Sequence, residues 1–291
     1  MLLRLLFLCA ACVAGTACAG GTADVASAPA TAAHDAAAAD TAWTAALTNG
    51  DASAAAALDA DFEWTNSVGR TFTRTDAIER LQTLAADIRG ETDIRHYGYG
   101  HVHVITSARG DARMMRVWAL RPEGWRVLGV IFTTLVTGTT PFAATAAAAG
   151  DCENPCRTMP FTPESANARL IADVFMRLKM DEWHPNPSGW MQFVLDDVFY
   201  VTETAQLSKD DRVKRLASLE ASGAASTPGD PVVSMRIHDF GDSAVMIARH
   251  TPFRGGDPYY SLRVWAFRDG RWQLANTQQT VIRSTPGTPA S

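Results

Sequence analysis

Basic charge, long apolar runs and cysteine are all scarce in this chain of 291 residues. Lys and Arg total 26 against 31 Asp and Glu, a net charge of −5, so no basic surface for nucleic acid is expected. Beyond the N-terminus, no segment is apolar over the roughly 20 positions that a membrane-spanning helix needs. A Gly-rich phosphate loop, a G-x-S-x-G elbow and an H-E-x-x-H pair are missing, and with them the sequence marks of nucleotide binding, serine hydrolysis and zinc proteolysis. No cofactor or metal is implied. What remains is a globular composition, 47% hydrophobic and 20% charged, in a length that suits two ordinary domains.

Three of the five cysteines, Cys9, Cys12 and Cys18, lie in "MLLRLLFLCAACVAGTACAGG". Arg4 supplies a positive charge, Leu5 to Gly15 form a short apolar core, and small residues follow, the pattern of an export signal over residues 1–19. Two processing routes fit it. Cleavage after Ala19, at the small-x-small "ACA", releases a soluble periplasmic protein. Lipidation of Cys18 in "GTAC" anchors it to the envelope instead. Export favours oxidation, so the other two cysteines, Cys152 and Cys156 in "DCENPCR", are expected to form a disulfide. The loop between them is short, which limits its entropic stabilisation to about 2 kcal/mol. The spacing is not C-x-x-C and no His adjoins the pair, which argues against redox chemistry and zinc.

Residues 20–35 are rich in Ala, Thr and Ser and are expected to form a flexible tether. Residues 141–163, with the cysteine pair, form a linker, and 284–291 a Pro/Thr/Ser tail. The two segments between, 36–140 and 164–283, run through one order of signals. In the first, Asp40–Thr48 carries Trp43, Ala46 and Leu47 at helical spacing until "NGD" stops it. A short helix over Ala52–Leu58, the strand "DFEW" and the helix "TRTDAIERL", capped by Thr73 or Thr75, follow. Alternation then predicts strands at 93–99, 101–108, 113–121 and 125–136. In the second, a helix over Ala168–Trp183, a short element at 190–195, "DVFYV" and "SKDDRVKRL" precede strands at 232–240, 243–250, 259–268 and 271–282. "RVWALRPEGWRVL" from Arg116 and "RVWAFRDGRWQLA" from Arg263 stand 147 positions apart, and Trp125 or Trp272 opens the strand after each turn. Matched tryptophans in matched strands indicate a whole-domain repeat.

Helix, short helix, strand, helix and four antiparallel strands make an α+β order, in which a curled sheet buries a long helix. Each half resembles the SnoaL-like domains of unknown function in the nuclear-transport-factor-2-like superfamily. The resemblance rests on a first helix ending at Gly50-Asp51, strands led by Asp61 and Asp197, the capped Thr/Ser-x-x-Asp helices, and hairpins closing on Gly124-Trp125 and Gly270-Arg271-Trp272. It covers about 35–140 and 164–283. It implies two tandem cone-shaped α+β barrels, packed through their sheets as a pseudo-dimer within one chain or as a homodimer of chains. Some members of that superfamily are isomerases, dehydratases or cyclases, and many only bind a ligand or partner, so the fold leaves function open.

Strand alternation groups Arg116 with Trp118 and Arg263 with Trp265, opposite Met115, Val117 and Ala119 or Leu262, Val264 and Ala266. The Arg-x-Trp face either lines a pocket for an anionic ligand or is structural, with each Arg cation over its Trp ring. His101 and His103 fall on one face and are metal ligands with His96 or Asp93, a pocket base, or plain sheet residues. Arg236 and His238 are mouth residues or solvent-facing, and base rates favour solvent. "DEWHPNP", with Asp181, Glu182 and His184, has the features of a charged turn alone. The expected function is binding of a small, partly apolar molecule or a protein partner at the cell envelope, without catalysis; the alternative is an isomerase, dehydratase or cyclase acting in one pocket.

Overall fold

The computed structural model describes residues 30–136, 151–223, 226, 228–252 and 257–283, with side chains from Asp35 onward. The expected export signal, Cys18 and the tail 284–291 lie outside the described residues, as does 137–150 in and before the expected linker. Among the described residues, no helix is long and apolar enough to cross a membrane.

The chain builds one architecture twice. The first half runs α1 (Ala30–Asn49), α2 (Ser53–Ala56), β1 (Leu58–Thr65), β2 (Thr71–Thr73), α3 (Arg74–Ile78), α4 (Leu81–Ile88), then β3 (Thr92–Tyr99), β4 (Val102–Arg109), β5 (Ala112–Arg121) and β6 (Gly124–Thr134). The second runs α5 (Ala166–Trp183), α6 (Pro187–Met191), β7 (Val194–Val201), β8 (Gln206–Leu207), α7 (Lys209–Ala221), then β9 (Val232–Asp239), β10 (Ser243–His250), β11 (Tyr259–Arg268) and β12 (Arg271–Val281). Their strand orders match, β2-β1-β6-β5-β4-β3 and β8-β7-β12-β11-β10-β9. The β1–β6 and β7–β12 pairs are parallel and the others antiparallel.

Local chemistry explains the repetition. Thr73 and Ser208 cap α3 and α7 with reciprocal hydrogen bonds to Asp76 and Asp211, so "TRTD" and "SKDD" start helices for one reason. Asp269 and Gly270 both take positive φ and close the β11–β12 hairpin tightly. Directly beside Arg-Val-Trp, both sheets carry a bulge: the register slips between Val117 and Trp118, and between Val264 and Trp265. A bulge at that point bends the sheet around its helix. The repeated motif therefore marks where each cone curls.

Three expectations need correction. Helix α1 begins at Ala30, inside the stretch whose composition suggests a tether. The "TRTDAIERL" helix breaks after Ile78 and restarts at Leu81. The edge strands β2 and β8 add a sixth strand to each sheet; at three and two residues they are too short for alternation to show.

Each sheet has two buried faces. One wraps its own helices: Trp118, Val127 and Val130 meet Trp43, Leu47 and Leu84, while Trp265, Met246 and Leu274 meet Ile171, Phe175 and Leu178. The other faces the partner sheet. Val104, Met115, Val117 and Ala119 pack against Val245, Leu262, Val264 and Ala266 in one shared core. The Met115–Ala119 face is thus an interdomain core, and the halves form a pseudo-dimer within the chain. Gln278 crosses this seam, where its amide nitrogen donates to Arg113 O at 2.9 Å, Ile131 O at 3.0 Å and Thr133 Oγ1 at 3.0 Å. At the rim, Gly100 (φ +68°) allows the Asp242 carboxylate so close that a Cβ would lie 1.9 Å from its oxygen.

The segment around the cysteines packs on the second half. Cys152 and Cys156 are joined by a disulfide buried against Trp183 and Met180. Between them, Asn154 pairs with both backbone groups of Val232, at 2.9 Å each, and extends the edge of β9.

Replacing Gln278 with Leu removes the one amide nitrogen that serves three acceptors at the seam and leaves buried acceptors short of partners. The expected loss is about 1–3 kcal/mol, measured as a lower urea midpoint at unchanged slope.

Candidate functional site

The two cones have the same scaffold and different interiors. In cone 1, Arg116 is 1% exposed and lies among carboxylates. Its Nε donates to Asp40 Oδ1 at 2.8 Å and its Nη2 to Asp40 Oδ2 at 2.9 Å. Its Nη1 reaches both Glu91 oxygens, at 2.6 and 2.8 Å. Trp118 Nε1 donates to Asp40 Oδ1 at 2.9 Å, and Trp43 meets the Trp118 ring edge-on at 6.0 Å. Burial disfavours the guanidinium charge, but Asp40 and Glu91 outweigh it and hold the Arg116 pKa above its usual value. Burial likewise raises Glu91, against the pull of Arg116. The cone is filled by its own groups.

In cone 2 the matching guanidinium has no such partners. Arg263 is 3% exposed. Its Nη1 donates to Ser261 Oγ and, at 3.3 Å, to His250 Nε2, while Nη2 is buried without a hydrogen-bond partner. Among the described residues no carboxylate pairs with it. Phe175 of α5 stands against Arg263 where Asp40 of α1 stands against Arg116, its ring centre 4.9 Å from the guanidinium carbon. Trp265 Nε1, matching the Trp118 atom that donates to Asp40, is also buried and unpartnered, as is Thr277 Oγ1 on the strand paired with Arg263. Burial alone leads the forces on Arg263 and lowers its pKa.

The surrounding groups are committed elsewhere. His250 accepts from Arg263 at Nε2, so its Nδ1 carries the proton toward Asp230 O at 3.2 Å and the ring is neutral. Burial, then the Arg263 charge, push its pKa well below the usual value. Glu182 is held by Lys179 at 2.8 Å and Arg212 at 2.9 Å, with Trp190 Nε1 donating at 3.3 Å. These two cations overcome its burial and keep it ionised. "DEWHPNP" is therefore more than a turn: Glu182 anchors a buried ion cluster, and Asp181 accepts from Arg177 and Asn186.

The residues singled out from sequence separate into three places. Arg116, Trp118 and His103 line cone 1; Arg263 and Trp265 line cone 2; His101 and His238 lie at the seam. Neither Arg stacks on its Trp. Arg116 and Trp118 share Asp40, and Arg263 lies over Phe175. His101 and His103 diverge, because His101 sits in the turn before β4 and pairs with Asp242 at 3.1 Å. His103 turns inward, 3.2 Å from His96. Among the described residues, no group of three or more His, Cys, Asp or Glu side chains could hold a metal ion. His238 is mostly covered and faces the first domain, near Asp61 at 3.8 Å, whereas Arg236 stays exposed, as alternation suggests, while pairing with Glu63 of the first domain. An open cleft of about 700 Å³ borders Asp59, Asp61, Arg74, Arg121, Glu123 and Arg126. None of the seven residues singled out from sequence lines it. Its Arg121 is already paired with Asp59 at 2.7 and 3.1 Å.

No known protein family matches the sequence, and no curated protein matches it. Solved structures similar to this chain include an NTF2-like protein from Cytophaga hutchinsonii, 16% identical, covering 40% of this chain and 100% of its own, at a TM-score of 0.34. An NTF2-like protein of unknown function in nutrient uptake from Rhodospirillum rubrum is 17% identical over 39% of this chain and 98% of its own, at 0.32. One of unknown function from Pseudomonas putida is 15% identical over 43% and 95%, also at 0.32.

The contrast between the cones has a direct consequence. Arg116→Met strands two buried carboxylates and is expected to cost about 3–5 kcal/mol. Arg263→Met removes an unpaired charge and is expected to be neutral or stabilising, as read by the same denaturation curves. Burial first, then His96, push His103 down to about 4, so it is neutral in the fold at pH 7. Its unfolded pKa is about 6.5, so the unfolded state takes up the proton first and stability falls as pH drops from there toward 4. The stability difference between pH 7 and pH 5 is expected to shrink in His103→Leu. His238 and His250, also depressed, retain part of it.

Proposed function

We propose that this chain is an envelope protein that binds a small, partly apolar molecule in cone 2, while cone 1 is a self-filled structural half. The observation that carries this reading is the cluster of buried, unpartnered polar atoms on the inner face of the second sheet: Arg263 Nη2, Trp265 Nε1 and Thr277 Oγ1. Buried polar atoms without partners are costly, and a site that binds a ligand is where such a cost is retained. Cone 1 also has unpartnered buried atoms, on Trp64, His103 and Ser107, but its guanidinium charge is met. The apolar walls of cone 2, from Phe175, Leu178, Met246 and Trp265, suit the remainder of such a molecule. The N-terminal segment "MLLRLLFLCAACVAGTACAGG" supports export, to the periplasm or to a lipid anchor at Cys18.

Native mass spectrometry of the full chain, purified from its own host, tests the reading. A retained small molecule that leaves on gentle activation is expected. Protein that carries none, and shows no thermal shift across a panel of amphiphilic metabolites, would overturn it. Conversion of a bound compound would favour the isomerase, dehydratase or cyclase alternative.

A further inference from the structure

Resting on that reading, we infer that the ligand of cone 2 is a monocarboxylate, and that its acid group takes the role in cone 2 that the Asp40 side chain has in cone 1. In the first cone, one carboxylate serves three donors: Asp40 accepts from Arg116 Nε at 2.8 Å, from Arg116 Nη2 at 2.9 Å and from Trp118 Nε1 at 2.9 Å. In the second cone, two of the three matching donors, Arg263 Nη2 and Trp265 Nε1, are buried without acceptors. The arginines are 3% and 1% exposed and Trp265 is 0% exposed, so water at the surface does not serve them. Phe175 replaces the helix residue that would have supplied the acid.

Charge sets the number of acid groups. Cone 1 places two carboxylates on its guanidinium, one on each side. Cone 2 fills the second side with neutral donors and acceptors, Ser261 and His250, which occupy Nη1. One unmet cation therefore remains, and one negative charge neutralises it; Glu182, the acid at the end of α5, is already held by Lys179 and Arg212. A carboxylate, with two oxygens on one carbon, can span a guanidinium edge and a neighbouring indole N–H, as Asp40 does. Ligand entry requires the Phe175 ring to turn off the guanidinium, a side-chain rotation, after which the ring and Leu178 and Met246 cover the ligand's apolar part.

Matched probes test this apart from the broader reading. Hexanoate and phenylacetate are compared with hexanamide and phenylacetamide, which keep the shape and lose the charge. At saturating concentration the acids are expected to raise the melting temperature of the full chain by about 5 °C, and the amides by less than about 1 °C. Arg263→Met is expected to abolish the response to the acids. Phe175→Asp, which supplies the acid from the helix, is expected to raise the melting temperature of the ligand-free protein and remove its response to acids. Equal shifts by acids and amides, or a full acid response in Arg263→Met, would overturn the carboxylate inference and leave the binding reading standing. No shift by any probe, together with no retained molecule in the native spectra, would remove both. If Phe175→Asp does not fold, the Arg263→Met comparison decides alone.

Discussion

A guanidinium buried inside a cone is shielded from bulk solvent, so its charge is costly unless acceptors within the fold meet it. That constraint organises the first half of the molecule. Asp40 on α1 locks the helix to β5 through Arg116 and Trp118 together, and Glu91, just before β3, closes the other side of the same arginine. Three separate elements are thereby fixed to one side chain. Such an ion pair adds little net stability over an apolar filling, but it specifies how helix and sheet register against one another. The second half keeps the arginine and its strand and lacks the acids, so it keeps the geometry of the lock without its closure.

The seam explains why both arginines point inward. Alternation gives each strand two faces, and the sheets use Met115, Val117 and Ala119 against Leu262, Val264 and Ala266 to bury one another. Once that face is taken, Arg116 and Arg263 must face the helices. The same division sends Asn276 and Gln278 to the seam and Thr277 to the cone. The bulge beside each Arg-Val-Trp motif deepens the curl and brings the tryptophans over the helix. Sheet packing, curl and the position of the arginine are therefore linked.

Much of the architecture was legible in the sequence. The period of two in the strands, the capping residues of α3 and α7 and the matched hairpins all act over a few residues, so they can be seen in a single chain. The tandem α+β cones follow from them. What covered each face was not legible. His238 looks solvent-facing by alternation and is mostly covered by the first domain, because alternation cannot tell water from a neighbouring domain. The role of Asp40 was hidden for a related reason: the arginines stand 147 positions apart, whereas Asp40 and Phe175 stand 135 apart, so one offset does not align strands and helices together. Two of the interior differences do keep the strand offset. Met114 and Val130 in the first half correspond to Ser261 and Thr277 in the second, and that comparison was available from sequence alone.

The direction of these differences bears on which cone has a function outside its own packing. Three positions around the arginine change between the halves. At two, an apolar residue in cone 1 faces a hydroxyl in cone 2; at the third, an acid faces an aromatic ring. Had cone 2 drifted toward a simple structural core, its arginine would be the first group to lose, since each unmet buried polar atom costs about 1–3 kcal/mol. Instead cone 2 holds the arginine, surrounds its Nη1 with a neutral histidine and a serine, and leaves Nη2 and the Trp265 N–H unmet. A fold that has a duplicate to carry its rigidity can bear that cost in one half. On the proposed reading, the cost is recovered when a molecule brings the missing acceptor, and cone 2 is the half whose chemistry points outward.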